Sequence, residues 1–422
     1  MEYLLFIAYL AFFCWLVVWI PFLKNTGLSR IELLFLFFLK VIAGLTIGWL
    51  SLHYYNAGND YWDLNREAWK EYQSLCSHPL DFFTDIFRSP YGKGYSGLFD
   101  SNNSYWGDLK NNLVIKLVAL FNIFTRGNYY TNSLFFNFLV FFGHVILYRL
   151  FIKIYPGKRV AVVIGCFLLP SMLYFSSGIH KDGLVLLSLS ILIYSVNNSF
   201  QKERINTRRL LLTVISLVFI FLFRNFLFFA MIPALIAWVW SEKSTRPVWI
   251  SFLMTYITYG LLLFAIGIIF PAVNPLEIIT RRQADYLQLP VSATPLHMDT
   301  LHPHISSFLH NMPQALNHVL MRPYITELPS VILLPMNIEL FLYQLLFLLF
   351  IFFQDKRSKI AKVNVLFFMF LFTFTVFLFI GYIIPNLGSL VRYRSIYLPF
   401  IITPLLCGIN WRFFYTGNKY II

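Results

Sequence analysis

Charged residues are scarce in this sequence, and acidic residues are the scarcest of them. Only 12% of the 422 residues are Asp, Glu, Lys or Arg, and 19 of these are acidic. An average soluble domain carries about 25% charged residues. Hydrophobic residues make up 58% of the chain and include 47 Phe. This balance excludes a water-soluble globular protein, because too little polar surface remains to cover so much apolar material.

Three other features are missing, and each absence excludes a class of protein. The four cysteines lie mostly in apolar segments and do not suggest a disulfide framework. The alternation of an outer-membrane β-barrel is absent, because the apolar runs are continuous. Glu2 stands where a cleavable signal peptide carries basic residues, so we expect the first apolar segment to be a retained anchor.

Long apolar runs dominate the sequence instead. Runs of about 18 or more residues can cross the roughly 30 Å of hydrocarbon in a bilayer. They predict an all-α, multi-pass membrane protein with about eleven transmembrane helices, in which residues 1–422 form a single integral-membrane domain. The predicted spans lie near residues 3–23, 31–52, 131–152, 160–176, 181–196, 210–223, 225–240, 247–270, 339–353, 363–384 and 394–410.

The net charge of +14 indicates membrane orientation rather than a nucleic-acid partner. Cytoplasmic loops of membrane proteins carry an excess of Lys and Arg. This rule places the N-terminus outside and the C-terminus in the cytoplasm, provided that the apolar stretch 210–240 is two short helices with a turn at Arg224. The excess falls in connectors on one predicted side, at residues 24–30, 153–159, 197–209, 241–246 and 354–362, and in the tail from 411.

Two polar segments are predicted to be external loops, at about residues 53–130 and 271–338. Within the first, residues 61–75 place their apolar side chains on one face of a helix, which predicts an interfacial helix. Residues 112–124 are apolar but too short to span a bilayer, so we expect a second interfacial helix there.

Two acidic residues, Asp60 and Asp63, follow the second predicted span directly. A carboxylate at the membrane boundary can act as a general base on a hydroxyl group, or it can ligate a cation. The alternative is that they cap the N-terminus of the interfacial helix, which suits Asp63 better because it lies in the first turn.

A compact polar turn with the sequence His180-Lys181-Asp182 interrupts the apolar stretch 160–196. Lys181 and His180 could hold a phosphate or pyrophosphate, with Asp182 orienting Lys181. The alternative is a plain loop in which Asp182 caps the next helix and Lys181 extends to the membrane surface.

Five arginines on the predicted external side are further candidates for binding phosphate, because the planar guanidinium fits phosphate oxygens. A structural alternative exists for each: extension to the membrane surface, a salt bridge with first-loop acids, or plain solvation. They are Arg224, Arg392, Arg394, Arg281 and Arg282.

The arrangement resembles the GT-C superfamily of integral-membrane glycosyltransferases. Similar features are an acidic residue after an early span, two interfacial helices in the first external loop and a larger external loop later. Residues 170–182 and 388–394 also resemble segments of bacterial exopolysaccharide and lipopolysaccharide glycosyltransferases of the protein-mannosyltransferase type. The chain departs from this pattern by an extra N-terminal helix and by lacking a paired Asp-Glu, which leaves the base open between Asp60 and Asp63.

The resemblance implies an inverting glycosyltransferase of the bacterial cytoplasmic (inner) membrane that serves cell-envelope polysaccharide biosynthesis. Its donor would be a sugar on a polyprenyl phosphate, bound from membrane lipid, and its acceptor a glycan or a lipid-linked sugar on the extracytoplasmic face. Asp60 would deprotonate the acceptor. The phosphate would be stabilised by Lys181, Arg224, Arg392 and Arg394. No metal or other cofactor is required, and a divalent cation on a carboxylate stays open.

Two alternatives belong to the same pathway. A polymerase of polysaccharide repeat units (O-antigen or exopolysaccharide) would depend on Arg392 and Arg394 without relying on a single carboxylate. A flippase or transporter of lipid-linked sugars would carry charged residues along a central path through many spans. In this sequence Lys40, Lys116 and His144 are nearly the only titratable groups inside apolar segments, which favours an enzyme.

Overall fold

The computed structural model describes residues 2–54, 60–87, 94–98, 104–200, 206–289, 294–324, 326–327, 334–355 and 362–416. Within these ranges α-helices supply nearly all the regular structure, and no β-strand occurs. The first ten helices are α1 Glu2–Trp19, α2 Pro21–Lys24, α3 Arg30–Tyr54, α4 Asp60–Ser77, α5 Pro79–Thr84, α6 Tyr105–Thr125, α7 Tyr129–Ile154, α8 Arg159–Phe167, α9 Pro170–Phe175 and α10 Lys181–Ser199.

The second half of the chain is equally helical in its described part. Its helices are α11 Thr207–Phe223, α12 Asn225–Lys243, α13 Val248–Ile269, α14 Pro275–Leu287, α15 Ile305–Met321, α16 Leu334–Phe352, α17 Val363–Ile383, α18 Leu387–Ser395, α19 Pro399–Gly408 and α20 Arg412–Thr416.

Seven described helices are long and apolar enough to cross a membrane. They are α1, α3, α7, α12, α13, α16 and α17. The pair α18 and α19, bent by 66°, would make eight if it forms one broken span. These helices agree with the predicted all-helical, multi-pass membrane protein. The predicted count of about eleven spans is not confirmed.

The remaining predicted spans are helical but differ from simple crossings. Residues 160–176 form two short helices, α8 and α9, of 9 and 6 residues, because the first ends ahead of Pro170. Helix α11 has 17 residues, fewer than the roughly 20 of a typical span. Helix α10 has 19 residues but includes four Ser and two Asn, which lower its hydropathy.

The predicted turn at Arg224 is confirmed. Helix α11 ends at Phe223 and α12 begins at Asn225. Arg224 has non-helical dihedral angles (φ −149°, ψ 82°), which break the apolar stretch into two helices.

The chain divides into two compact units. The first comprises Met1–Arg149 and Leu173–Asn225, and the second comprises Leu150–Met172 and Phe226–Ile422. The prediction of a single integral-membrane domain stays a prediction.

Close helix packing organises the first unit. Helix α4 packs on α6, and α10 packs on α11. At Gly48 of α3, a side chain would meet the ring of Tyr129 on α7, so the glycine lets these helices approach closely. Phe37 and Phe141 are fully buried in the same core, with ring centroids 5.4 Å apart.

In the second unit, α15 packs on α17 and α19 packs on α8. Gly381 of α17 lies against the backbone of Ala315, and Gly165 of α8 lies against Thr403. These small residues allow helix backbones to approach each other, as is common where helices pack in membranes.

Both helices predicted in the first external loop are present. Helix α4 covers residues 61–75 and buries Tyr61, Leu64 and Ala68, which belong to the predicted apolar face. Helix α6 covers 112–124 and is longer than expected, with 21 residues. Their position at the membrane surface stays a prediction.

Candidate functional site

The start of α4 is held against the long apolar helix α3. Trp62 Nε1 donates a hydrogen bond of 2.9 Å to the carbonyl oxygen of Gly48 on α3. The Trp62 ring also stacks on Tyr129 of α7, with centroids 4.3 Å apart. Asp60 and Asp63 occupy the first turn of α4, where the helix dipole favours negative charge. The two predicted acidic candidates therefore lie on a well-anchored helix end.

A pocket of about 340 Å³ opens beside this helix end. It brings together four residues that the sequence marked as candidates, two acids from α4 and a neighbouring pair from the polar turn. Its lining residues are Asp60, Asp63, Leu64, Glu67, Asn111, Ile115, His180 and Lys181. Carboxylates and potential cations therefore share one cavity of the first unit.

Gly178 lets the polar turn approach the start of α4. A Cβ atom at this position would lie 2.9 Å from Tyr61 Cδ1 and 3.0 Å from Ile47 Cδ1, both too close for ordinary packing. The Tyr61 ring also meets the His180 ring edge-on, with centroids 6.0 Å apart. The absence of a side chain at residue 178 thus allows Tyr61 to pack between helix and turn.

Asp182 is completely buried and links two of the other candidates. Its Oδ1 forms an ion pair with Arg224 Nη2, and its Oδ2 lies 3.2 Å from His180 Nδ1. Arg224 is only 5% exposed. Asp182 therefore contacts His180 and Arg224, and its predicted role in orienting Lys181 stays a prediction.

Two polar residues of the pocket, Glu67 and Asn111, were not among the candidates drawn from the sequence. Glu67 lies seven residues after Asp60, a spacing that places both on one face of a helix. This spacing was the signal in the sequence that could have identified Glu67. Asp63 and Glu67 each have a cation partner one turn further along α4, since Asp63 pairs with Arg66, and Glu67 lies 2.7 Å from Lys70.

Helix α6 is joined to α4 by a lysine that lies inside its apolar segment. Lys116 Nζ is 3.0 Å from Glu71 Oε2 and 2.6 Å from Asp85 Oδ1. Burial raises the pKa of the Glu71 carboxyl, and the neighbouring Lys116 ammonium opposes this effect. The contacts explain why Lys116 lies in an otherwise apolar stretch.

The other candidate arginines belong to the second unit. Arg394 is buried on α18 and donates hydrogen bonds to the carbonyl oxygens of Val319 (2.8 Å) and Arg322 (2.6 Å). Arg392, two residues earlier on the same short helix, is half-buried. The contacts of Arg394 account for its burial, and binding of phosphate by either residue stays a prediction.

Arg281 and Arg282 lie on α14. Arg281 is exposed and pairs with Glu277 one helical turn earlier, at 2.9 Å. Arg282 is half-buried. The pair Arg281–Glu277 has the i,i+4 geometry that exposed helices commonly show.

A buried glutamate, Glu339 of α16, was also missed by the sequence analysis. It accepts hydrogen bonds from the Ser171 backbone N–H (3.0 Å) and hydroxyl (3.1 Å), and from the Tyr343 hydroxyl. The signal in the sequence that could have identified Glu339 is that it is a single acidic residue within an apolar run. Its hydrogen bonds satisfy the charge that burial would otherwise penalise.

In the described part of the chain, no group of three or more His, Cys, Asp or Glu side chains is placed to hold a metal ion. No protein-family model, curated protein or solved structure matches this chain. Functional interpretation therefore depends on the residues of the pocket and on their contacts.

Proposed function

We propose that this protein is a GT-C-like glycosyltransferase that moves a sugar from a polyprenyl-phosphate donor to a glycan or lipid-linked acceptor. The observation that carries this proposal is the pocket in which Asp60 and Asp63 lie together with His180 and Lys181. Sugar transfer from a lipid phosphate needs a base for the acceptor hydroxyl and positive charge for the leaving phosphate. One pocket offers both types of side chain.

In the proposed reaction, Asp60 accepts the proton of the acceptor hydroxyl. The acceptor oxygen attacks the anomeric carbon of the donor sugar with inversion, while the bond from that carbon to the phosphate oxygen breaks. The electron pair leaves with the lipid phosphate, whose negative charge Lys181 and His180 stabilise. Preorganised cations aimed at developing charge are often the largest catalytic contribution.

The two remaining candidates of the first unit act through His180 in this scheme. Asp182 and Arg224 are buried and paired with each other, so we assign them as positioning residues that hold the His180 ring. Arg392, Arg394, Arg281 and Arg282 belong to the second unit, and we propose that they bind phosphate there. Among them Arg392 is the half-buried arginine of α18, which suits contact with a ligand better than the buried Arg394.

The proposal includes the topology that the charge distribution predicts. About eleven crossings, an external N-terminus and a cytoplasmic C-terminus would place the pocket at the extracytoplasmic face of the bacterial inner membrane. Donor and acceptor would reach it from the lipid and the external space.

The test is sugar addition in cells that express Asp60→Asn at a membrane level equal to the wild type. Loss of a general base lowers rates by about 10²–10⁴-fold. Asp81→Asn is the matched control, because Asp81 also lies in the first turn of a helix but does not line the pocket. Retention of sugar addition by Asp60→Asn would overturn the proposed base.

The same cells distinguish the polymerase alternative. If Asp60→Asn has no effect while Arg392→Ala leaves single, unpolymerised repeat units, a polymerase is the correct assignment. If both variants are silent, the pocket is not the active site.

A further inference from the structure

Lys40 lies in the middle of the apolar helix α3 and is only 1% exposed. A lysine at the centre of a membrane-spanning helix costs about 2.5–3.5 kcal/mol on insertion scales, so its presence requires a partner and a purpose. The reaction proposed above does not use this residue. Its contacts indicate what it does.

The ammonium of Lys40 binds two consecutive serines just ahead of the polar turn. Its Nζ donates to Ser176 Oγ (3.0 Å), Ser177 Oγ (3.1 Å) and the carbonyl oxygen of Ser176 (3.4 Å). An ammonium has three N–H donors, so these acceptors match its full capacity. These hydrogen bonds of Lys40 therefore all go to a single short segment.

Two further buried side chains of α7 hold the same segment. His144 Nε2 lies 3.3 Å from Ser176 Oγ, and Asn137 Nδ2 donates to the carbonyl oxygen of Ser177 at 2.9 Å. The segment is thus held from α3 and α7 through both side chains and both carbonyl oxygens. Such a satisfied polar network inside a core makes a local conformation rigid.

The held serines immediately precede the residues that meet the pocket. Gly178 follows Ser177 and packs against Tyr61. His180 and Lys181, just after it, line the pocket. Asp182 fixes the far end of the turn through Arg224. The turn is therefore anchored at both ends, by Lys40 before it and by Asp182 after it.

We infer that Lys40 is a positioning residue, which sets His180 and Lys181 at the pocket by binding Ser176 and Ser177 from within the membrane-spanning core. This inference rests on the proposed function for its effect on catalysis. Its structural part, the placement of the turn, is independent of which reaction the pocket carries out.

The first measurement follows the turn directly, without an activity assay. A thiol introduced by Lys181→Cys, in a protein that also carries Cys76→Ser to remove an exposed cysteine, is labelled with a polar maleimide. Adding Lys40→Met should change the labelling rate at position 181, because the turn loses its anchor. Lys158→Met is the matched control, since Lys158 pairs with Asp355 and touches no residue of the turn.

The second measurement is the rate of sugar transfer in the otherwise unaltered protein. Lys40→Met should lower kcat by about tenfold or more, because misplacing catalytic groups by about 1 Å can cost 10²-fold. The KM for the acceptor should change far less, and Lys40→Arg, which keeps N–H donors, should recover part of kcat. Ser188→Ala, which removes a buried hydroxyl bound only to its own helix, should leave kcat unchanged.

Ser177→Ala serves if Lys40→Met fails to fold, because it removes one acceptor of Lys40 and leaves the charge in place. Unchanged labelling at position 181 in both variants would overturn the inference, whether or not kcat falls. If labelling at position 181 changes in these variants but the wild-type protein shows no sugar transfer, the proposed function is wrong. The positioning role of Lys40 would still stand in that case.

Discussion

Asp182 Oδ2 lies 3.2 Å from His180 Nδ1, and both side chains are almost completely buried. The other carboxylate oxygen of Asp182 is bound by Arg224. The His180 ring thus lies beside a carboxylate that is itself held by a guanidinium. The arrangement surrounds a residue that lines the pocket.

Removing the cation of this pair should be costly. Arg224→Met leaves the Asp182 carboxylate buried without its guanidinium, and losing one partner of a buried pair typically lowers the free energy of unfolding by about 3–5 kcal/mol. The double variant Arg224→Met with Asp182→Leu should be more stable than Arg224→Met alone, because no buried charge remains. Thermal unfolding of the detergent-solubilised proteins measures both. Additive destabilisation would show that the two residues do not depend on each other.

Gly178→Ala should disturb the pocket through a steric clash. The new methyl group would collide with Tyr61, and overpacking of this kind costs about 1–3 kcal/mol. We expect lower stability and weaker sugar transfer, and partial recovery when Tyr61→Val makes room. Gly260→Ala is the matched control, because a Cβ at that helical position has no neighbour within 4 Å. Equal effects of the two glycine substitutions would contradict the packing described for Tyr61.

The two arginines of α18 should behave differently. Arg394→Met removes the donor for the carbonyl oxygens of Val319, which is buried, and Arg322, which is partly buried, and a buried acceptor left unsatisfied costs about 1–3 kcal/mol. Arg392→Ala should change stability little while lowering transfer or polymerisation. Unfolding midpoints measured beside product analysis separate the two effects. A large loss of stability for Arg392→Ala alone would reverse the assignment.

His318 should make the second unit sensitive to acid. Burial, helped by the nearby Arg322, lowers the pKa of this imidazole below its ordinary value. The folded protein therefore favours neutral His318, so its contribution to stability is complete above about pH 6.5 and is lost as the pH falls toward the lowered pKa. We expect His318→Gln to reduce the drop in unfolding temperature between pH 7.5 and pH 5.5. An unchanged drop in the His318→Gln protein would contradict this prediction.

Hydrophobicity located the helices well but not the number of crossings. The apolar run 210–240 contains one Arg-Asn break, and the structure ends α11 and begins α12 at that point. Residues 160–176 are as apolar as a span. They nevertheless fold as two short helices, because the first helix ends before Pro170. The charged Arg224 revealed the first of these breaks, whereas length and mean hydropathy do not reveal the second, since that choice depends on what the flanking residues pack against.

The site was partly predictable for a similar reason. Asp60 and His180 were marked because each is polar at the end of an apolar segment, and both line the pocket. The pairing of Asp182 with Arg224 joins residues 42 positions apart, and no local pattern indicates it. Lys40 was noticed as a charge within a span, but its serine partners lie 136 and 137 residues away. Tertiary contacts decide these roles.

The central claim is that Asp60 serves as the base of a sugar transfer carried out in this pocket. The most direct test is mass spectrometry of lipid-linked glycans from cells that express wild type or Asp60→Asn at equal membrane levels. We predict that Asp60→Asn accumulates an acceptor one sugar shorter than the wild-type product, and that Asp81→Asn does not. Full-length lipid-linked glycans in the Asp60→Asn cells would contradict the account.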